Sequence, residues 1–261
     1  MFIIDKLAYS SKLRYKSPML KTTFSIGALL LCVGFRSPSS AMLILIIMAV
    51  LTVFYSKVSF IYYIKIMAMP FGFLILGTIA IIFNIADAPM GLLFLGIGNK
   101  FLVITESSLI EGGTLILVSL ASVSCLYFLT LTTPMIDILY VLKKVGCPSI
   151  IMELMMLIYR FIFVVLDMAG TITTSQRCRL GNKNFKTELY SMGQMLAVVL
   201  VRSLNKTNML FDAMESRCYT GELPVLYEYN PAEKKEALVA YGLLAIIAII
   251  SIQSRLGGTL W

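Results

Sequence analysis

Apolar residues in this chain come in long unbroken runs, set apart by short polar breaks. They show neither the strict alternation of a half-buried strand nor the narrow stripe of a soluble amphipathic helix. Lys21–Phe35 and Ala41–Tyr55 are two such runs, each shorter than the ~20 residues that cross hydrocarbon, so polar flanks must be drawn in. The pattern therefore predicts spanning helices over Pro18–Phe35 and Ser39–Val58. Tyr62–Ala86 is long enough to span with tilt, with a kink at Pro70 and Gly72 that neighbouring helices can tolerate. Leu109–Thr132 is a fourth span, rich in Gly112, Gly113, Ser119, Ala121, Ser122 and Ser124, small residues that let helices approach closely. Ala237–Ile252 is a fifth.

Two stretches break this texture. Asp87–Ser108 holds strand-length runs, Leu92–Leu95 and Phe101–Thr105, around Gly96-Ile-Gly-Asn99, which predicts a hairpin or re-entrant loop at a membrane face. Beyond Pro134, Met135–Val145 reads as an amphipathic helix ended by Gly146 and Pro148, with Lys143 and Lys144 where cations suit the helix dipole. Ser149–Gly170 reads as another helix, apolar but marked every seventh residue by Glu153, Arg160 and Asp167. Charges on one stripe are expensive against lipid. The helix is therefore expected at the cytoplasmic boundary or with its stripe facing protein, Arg160 pairing with Glu153 or Asp167. Two basic, turn-ended segments follow, Gln176–Gly181 and Glu215–Gly221, separated by a helix carrying Arg202, Asn205 and Lys206. A polar loop, Glu222–Glu236, leads to the last span, and Trp261 is expected as an interfacial anchor.

Composition narrows the class. The chain is 59% hydrophobic and only 14% charged, where soluble domains run to about a quarter charged. The expected fold is an all-α integral membrane protein of about five transmembrane helices plus a cytoplasmic coupling region of long amphipathic helices. Its parts are 1–132, 133–236 and 237–261. The net charge of +8 could suggest nucleic acid. In so apolar a chain it fits cytoplasmic Lys and Arg instead, and no nucleic acid is expected. Residues 132–236 hold twelve of the 22 Lys and Arg, and the first 21 residues five more. Five spans then put the N-terminus in the cytoplasm of a plasma-membrane protein, leaving Arg36, Lys100 and Arg255 outside. The five cysteines form no CxxC pair and there is no histidine, so neither a zinc site nor the commonest general base is expected. The sixteen methionines are scattered as packing residues, with Met152, Met155 and Met156 a candidate contact face. Asp87 and Glu106 read as solvent-exposed.

From Thr133 onward the order of motifs carries a resemblance. It runs Thr-Pro-Met-Ile-Asp-Ile-Leu (133–139), Gly-Cys-Pro (146–148), Leu-Met-Met-Leu-Ile-Tyr-Arg-Phe (154–161) and Gln-Arg-Cys-Arg-Leu-Gly (176–181). It continues with Arg-Ser-Leu (202–204) and Ala-Met-Glu-Ser-Arg-Cys-Tyr-Thr-Gly (213–221). Ser-Pro-Met-Leu-Lys (17–21) is a looser match near the N-terminus. This half of the chain resembles the transmembrane (T) component of energy-coupling-factor (ECF) transporters, and most closely its CbiQ cobalt-transport family.

The resemblance implies a non-catalytic coupling subunit that binds no cofactor itself. Two ATP-binding partner subunits hydrolyse ATP, and a substrate-binding S component in the same lipid bilayer captures the cargo. Family members carry two Ala-Arg-Gly-like motifs that dock in the ATPases. By position Arg179 carries the first and Arg217 the second. Here Cys178-Arg179-Leu180 and Ser216-Arg217-Cys218 stand in their place, with Gly181 one position late. A planar guanidinium independently suits such a role, because it grips carboxylate through two parallel hydrogen bonds and stays charged when buried. Cobalt is the expected cargo. A nickel or vitamin importer, or a stand-alone ion-coupled carrier or membrane enzyme, are the alternatives. Nothing in the composition separates the cargoes, since another subunit would read them.

Overall fold

In the computed structural model the described residues are 3–56, 58–82, 84–86, 93–97, 100–221 and 234–257. Asp87, Trp261 and residues 222–233 of the expected polar loop lie outside them. The chain divides into two units, one built from the described residues within 2–134 and 228–261, the other from those within 135–227.

The first unit contains α1 (Ile3–Ser10), α2 (Pro18–Phe35), α3 (Pro38–Val50), α4 (Phe60–Ile82), α5 (Glu106–Thr132) and α9 (Lys234–Gly257). α1 falls in the stretch read from sequence only as a basic tail. Pro18 and Pro38 open α2 and α3, where a missing N–H costs nothing and the fixed φ is already helical. α3 runs on into a π-helical turn, Leu51–Tyr55. Pro70 lies within α4, as the pattern predicted.

The core of this unit repeats at helical spacing. Phe24, Ala28 and Cys32 come from α2, Ala41, Ile44 and Met48 from α3, Ala121, Cys125 and Phe128 from α5, and Ile247 from α9. Half of these side chains are Ala or Cys, which brings backbones close enough for polar links between helices. Ser25 Oγ donates to the Cys125 carbonyl at 2.7 Å, and Tyr63 and Ser124 share a hydroxyl bond of 2.7 Å. Gly112 is where α5 crosses α4: a Cβ there would lie 2.9 Å from Thr78 Cγ2. The Phe24 and Phe128 rings meet edge to face, 6.2 Å apart. Lys21, inside the expected N-terminal motif, is buried. Its Nζ donates to the carbonyls of Leu13 and Thr132, each at 3.0 Å, fixing the N-terminal segment to the carbonyl end of α5.

Between α4 and α5 stand three short strands, β1 (Asn84–Ala86), β2 (Leu93–Ile97) and β3 (Lys100–Ile104), antiparallel in the order β1-β3-β2. Asn84 faces Val103, and Ile97 faces Lys100. The third span therefore stops at Ile82, and 84–86 belong to the sheet rather than to the helix expected to reach Ala86. Gly98 and Asn99, between β2 and β3, lie outside the described residues.

The second unit is α6 (Met135–Val145), α7 (Ser149–Cys178) and α8 (Phe185–Glu215), with α6 packed on α7 and α7 on α8. α7 does not stop at Gly170 as the sequence reading had it. Thr171, Thr173, Thr174 and Ser175 each bond their hydroxyl to the carbonyl four residues back, and the helix carries through the glycine. Among the described residues six helices are long and apolar enough to cross a membrane: α2, α3 with its π-helical turn, α4, α5, α7 and α9. The protein is an all-α integral membrane protein in its architecture, with the small sheet as its one β element among the described residues. The helix beyond the five counted from sequence is α7, assigned there to the coupling region for its charged stripe.

Candidate functional site: the arginine-bearing helix ends

All three helices of the second unit end the same way. In α6, Gly146 N–H donates to Lys143 O and Cys147 N–H to Leu142 O, both at 3.1 Å, with Gly146 left-handed at φ +98°. This is the Schellman arrangement, a left-handed residue closing the last turn so that orphan carbonyls are satisfied. In α7, Leu180 N–H donates to Arg177 O (3.1 Å) and Gly181 N–H to Gln176 O (2.8 Å), and Leu180 has φ +59°. In α8, Cys218 N–H donates to Glu215 O (3.0 Å) and Tyr219 N–H to Met214 O (3.1 Å), and Cys218 has φ +55°.

Arg179 and Arg217 therefore hold the same place in two matching turns, immediately before the left-handed residue. Cations there suit the carbonyl end of a helix. Cys178, Arg179, Leu180, Ser216, Arg217 and Cys218 are all exposed. Ser216 Oγ donates to Ala213 O at 3.0 Å. Among the described residues the ion pair that forms is Lys16–Glu236, which leaves both guanidinium groups without a carboxylate.

The two ends are held differently. At the first, Gln176 Nε2 donates to Ser191 O (2.7 Å) and Ser191 Oγ donates to Gly181 O (3.1 Å), which ties the turn to the start of α8. Ser191 is buried. Gly181 is required by this closeness, since a Cβ would lie 2.8 Å from Ser191 Oγ and 2.9 Å from Gln176 O. At the second end, the Tyr219 hydroxyl donates to the Glu153 carboxylate, joining the turn after α8 to the first turns of α7. That hydrogen bond, with slight desolvation and the negative charge beside it, raises the Tyr219 pKa above its ordinary 10.0.

The expected stripe on α7 is thus divided. Glu153 serves Tyr219, and Arg160 pairs with neither Glu153 nor Asp167. Arg160 lines a cavity of about 410 Å³ with Lys206 and apolar residues of α7 and α8, and Asp167 lines a separate cleft beside Gly170 and Thr174. Sequence reasoning did not single out Ser191 or the Glu153–Tyr219 link. Tyr219, two places after Arg217, carried the one readable signal. Among the described residues no three of Cys, Asp and Glu gather as metal donors.

The sequence profile of the CbiQ family, described as cobalt transport protein, matches residues 10–226. An uncharacterized protein of Methanocaldococcus jannaschii is 31% identical over 91% of this chain and 88% of its own length. The cobalt transport protein CbiQ of Salmonella typhimurium is 27% identical over 84% of this chain and 97% of its own. A putative fused cobalt transport protein CbiMQ of Methanocorpusculum labreanum is 31% identical over 94% of this chain, which spans 41% of the fused one.

Proposed function

The chain belongs to the CbiQ family of cobalt transport proteins, and from that premise we propose that it is the transmembrane coupling subunit of an ECF-type importer. It joins two cytoplasmic ATP-binding subunits to a substrate-capturing membrane subunit, and its cargo is the cobalt ion. It is not itself an enzyme. ATP is bound and hydrolysed by the partners, and the metal is held by the capture subunit. The N-terminus and the ends of α7 and α8 face the cytoplasm, so α7, although long and apolar enough to cross, lies at the cytoplasmic boundary and does not span.

One observation carries the reading: Arg179 and Arg217 are presented at equivalent positions of two matching helix ends, exposed and without a carboxylate of their own among the described residues. Two equivalent cationic tips fit a motor that works as a pair of subunits. A helix inserted in a groove is a recurring docking mode, and a desolvated guanidinium paired with carboxylate there is worth about 2–5 kcal/mol when lost. The fused relative supports a membrane partner. In it the region like this chain is joined to a further stretch that makes up more than half of the whole, and we assign to that stretch the role of the capture subunit.

The test is co-purification of the ATP-binding subunits with Arg179→Glu, Arg217→Glu and the double variant, beside cobalt uptake in cells. Each single variant is expected to cut uptake at least tenfold and the double variant to lose the ATPases, while membrane insertion is unchanged. ATPases retained in full by the double variant would end the proposal.

A further inference from the structure

α2 and α9 are joined at two levels and stand apart between them. Midway along α2, Gly27 receives Leu244 of α9, where a Cβ would lie 3.3 Å from Leu244 Cδ1. Just before α2, Lys16 pairs with Glu236 in the first turn of α9. Between these levels a cavity of about 580 Å³ opens among α2, α9, the end of α3 with its π-helical turn, and Phe128 of α5. Its two ends differ in chemistry. Phe24, Ile46, Phe128 and Leu243 line the inner end, and Lys16, Tyr55, Lys235 and Glu236 the outer one. Tyr55 and Lys235 are exposed, and Lys235 makes no ion pair among the described residues. Lys21 also lines the cavity, but its Nζ is engaged by the carbonyls of Leu13 and Thr132.

Length decides what fits. Lys235 and Leu243 are eight residues apart on α9, about 12 Å at helical rise. A partner helix crossing the bilayer would need a groove of about 30 Å, and this one is blind where Gly27 meets Leu244. A slot of about 12 Å stays within one leaflet and suits a single hydrocarbon chain. Charge decides the head that goes with it. Glu236 is the one carboxylate among the lining residues and is taken by Lys16, so Lys235 remains to meet a phosphate and nothing remains to meet an ammonium. We propose that this cavity holds one anionic phospholipid, a chain in the slot, the phosphate at Lys235 and Lys16, and the Tyr55 hydroxyl at headgroup level, where tyrosine is at home. The bound chain completes the packing of α9 on α2 and α3. The leaflet alone rests on the topology proposed above, which makes it the cytoplasmic one.

Native mass spectrometry of the full chain in detergent, titrated with phosphatidylglycerol and phosphatidylcholine, counts the lipid retained, with thermal unfolding measured alongside. One phosphatidylglycerol per chain should be held about fivefold more tightly than phosphatidylcholine, what one lysine is worth beside an anionic headgroup. Lys235→Gln should abolish that preference and leave the lipid-free unfolding temperature unchanged. Ala240→Phe, which puts a ring into the slot, should lose both lipids. Equal retention of the two lipids by the wild type is what ordinary boundary lipid would give, and overturns the inference. A preference that survives Lys235→Gln overturns it too, whether or not Ala240→Phe folds. Displacement of the lipid by an equal concentration of glycerol phosphate would make this a site for a soluble phosphate and also overturn it. No ATP-binding subunit enters these measurements, so their failure leaves the coupling role standing, and failure of the Arg179→Glu and Arg217→Glu tests leaves the lipid site standing.

Discussion

α5 and α7 are both long, apolar and rich in Leu and Ile, yet they meet opposite fates. α5 buries Ala121, Cys125, Phe128 and Leu131, whereas α7 buries no residue and α8 only Ser191. Between α5 and α7 overall hydrophobicity is not what differs. The bundle helices place Ala, Cys, Ser and Gly where they cross, so backbones close up and large neighbours interlock. α7 and α8 place Ile158, Leu166, Leu196, Leu200 and Phe211 on exposed faces. Apolar surface becomes core only where small residues allow approach. Elsewhere it is surface for lipid or for another chain. The second unit is accordingly fastened at its helix ends by polar links, Gln176–Ser191–Gly181 and Tyr219–Glu153.

The largest expected effect breaks the bundle and spares α7 and α8. Phe128 is buried against Phe24, and Phe128→Ala is expected to cost roughly 3–5 kcal/mol. Leu196 is 56% exposed, so Leu196→Ala should change stability by no more than about 0.5 kcal/mol. Denaturant unfolding in detergent reads both. A cost at Leu196 equal to that at Phe128 would mean that α8 is packed as tightly as α5, and the contrast would be lost.

A smaller effect sharpens the comparison by its sign. Gly112 has no room for a methyl group, with Thr78 Cγ2 at 2.9 Å and Ile82 Cγ1 at 3.1 Å from the added carbon. Gly112→Ala is expected to destabilise by about 1–3 kcal/mol, the usual range for overpacking. Gly193, in α8, has open space around it, and Gly193→Ala should stabilise by up to about 1 kcal/mol through helix propensity. Thermal unfolding of the two variants tests the pair, and equal signs would refute the account.

Sequence legibility follows the same divide. α2 and α6 match their sequence-based bounds end for end, because proline, glycine and lysine mark those termini. The end of α7 was harder to read. Gly170 looks like a stop, but four hydroxyls bonded to backbone carbonyls carry the helix past it, and the true stop is at Leu180, where nothing local announces a left-handed residue. It becomes readable only when Cys178-Arg179-Leu180 is aligned on Ser216-Arg217-Cys218, one motif supplying the register for the other. Regular charge spacing misled in a different way. Glu153, Arg160 and Asp167 at intervals of seven share a face and suggested an internal ion pair of Arg160 with Glu153 or Asp167 fixing two helices, but residues seven apart on one helix lie two turns apart along the axis, beyond direct reach. Glu153 found its partner 66 residues away in Tyr219, a contact set by how α7 and α8 pack.

That contact gives the smallest effect. The Tyr219 hydroxyl can donate to Glu153 only while protonated, and the bond raises its pKa above 10.0. A group whose folded pKa lies above its unfolded one contributes its stabilisation in full below the unfolded value, and loses it as pH rises through the folded value. The link should therefore be intact at neutral pH and open only in strongly alkaline solution. Tyr219 is exposed and Glu153 only half-buried, so the energy involved is small, and the readout must be local. In ¹³C-tyrosine NMR, with Tyr219→Phe identifying the resonance, Tyr219 should titrate above 10 in the wild type and fall back to the ordinary tyrosine value in Glu153→Gln. Tyr219→Phe should also loosen backbone amide protection around Arg217 while leaving it unchanged around Arg179, whose turn is held by the buried Ser191 instead. Equal loosening at both ends would show that the two arginines share one support, and the distinction between a clamped first end and a latched second end would not stand.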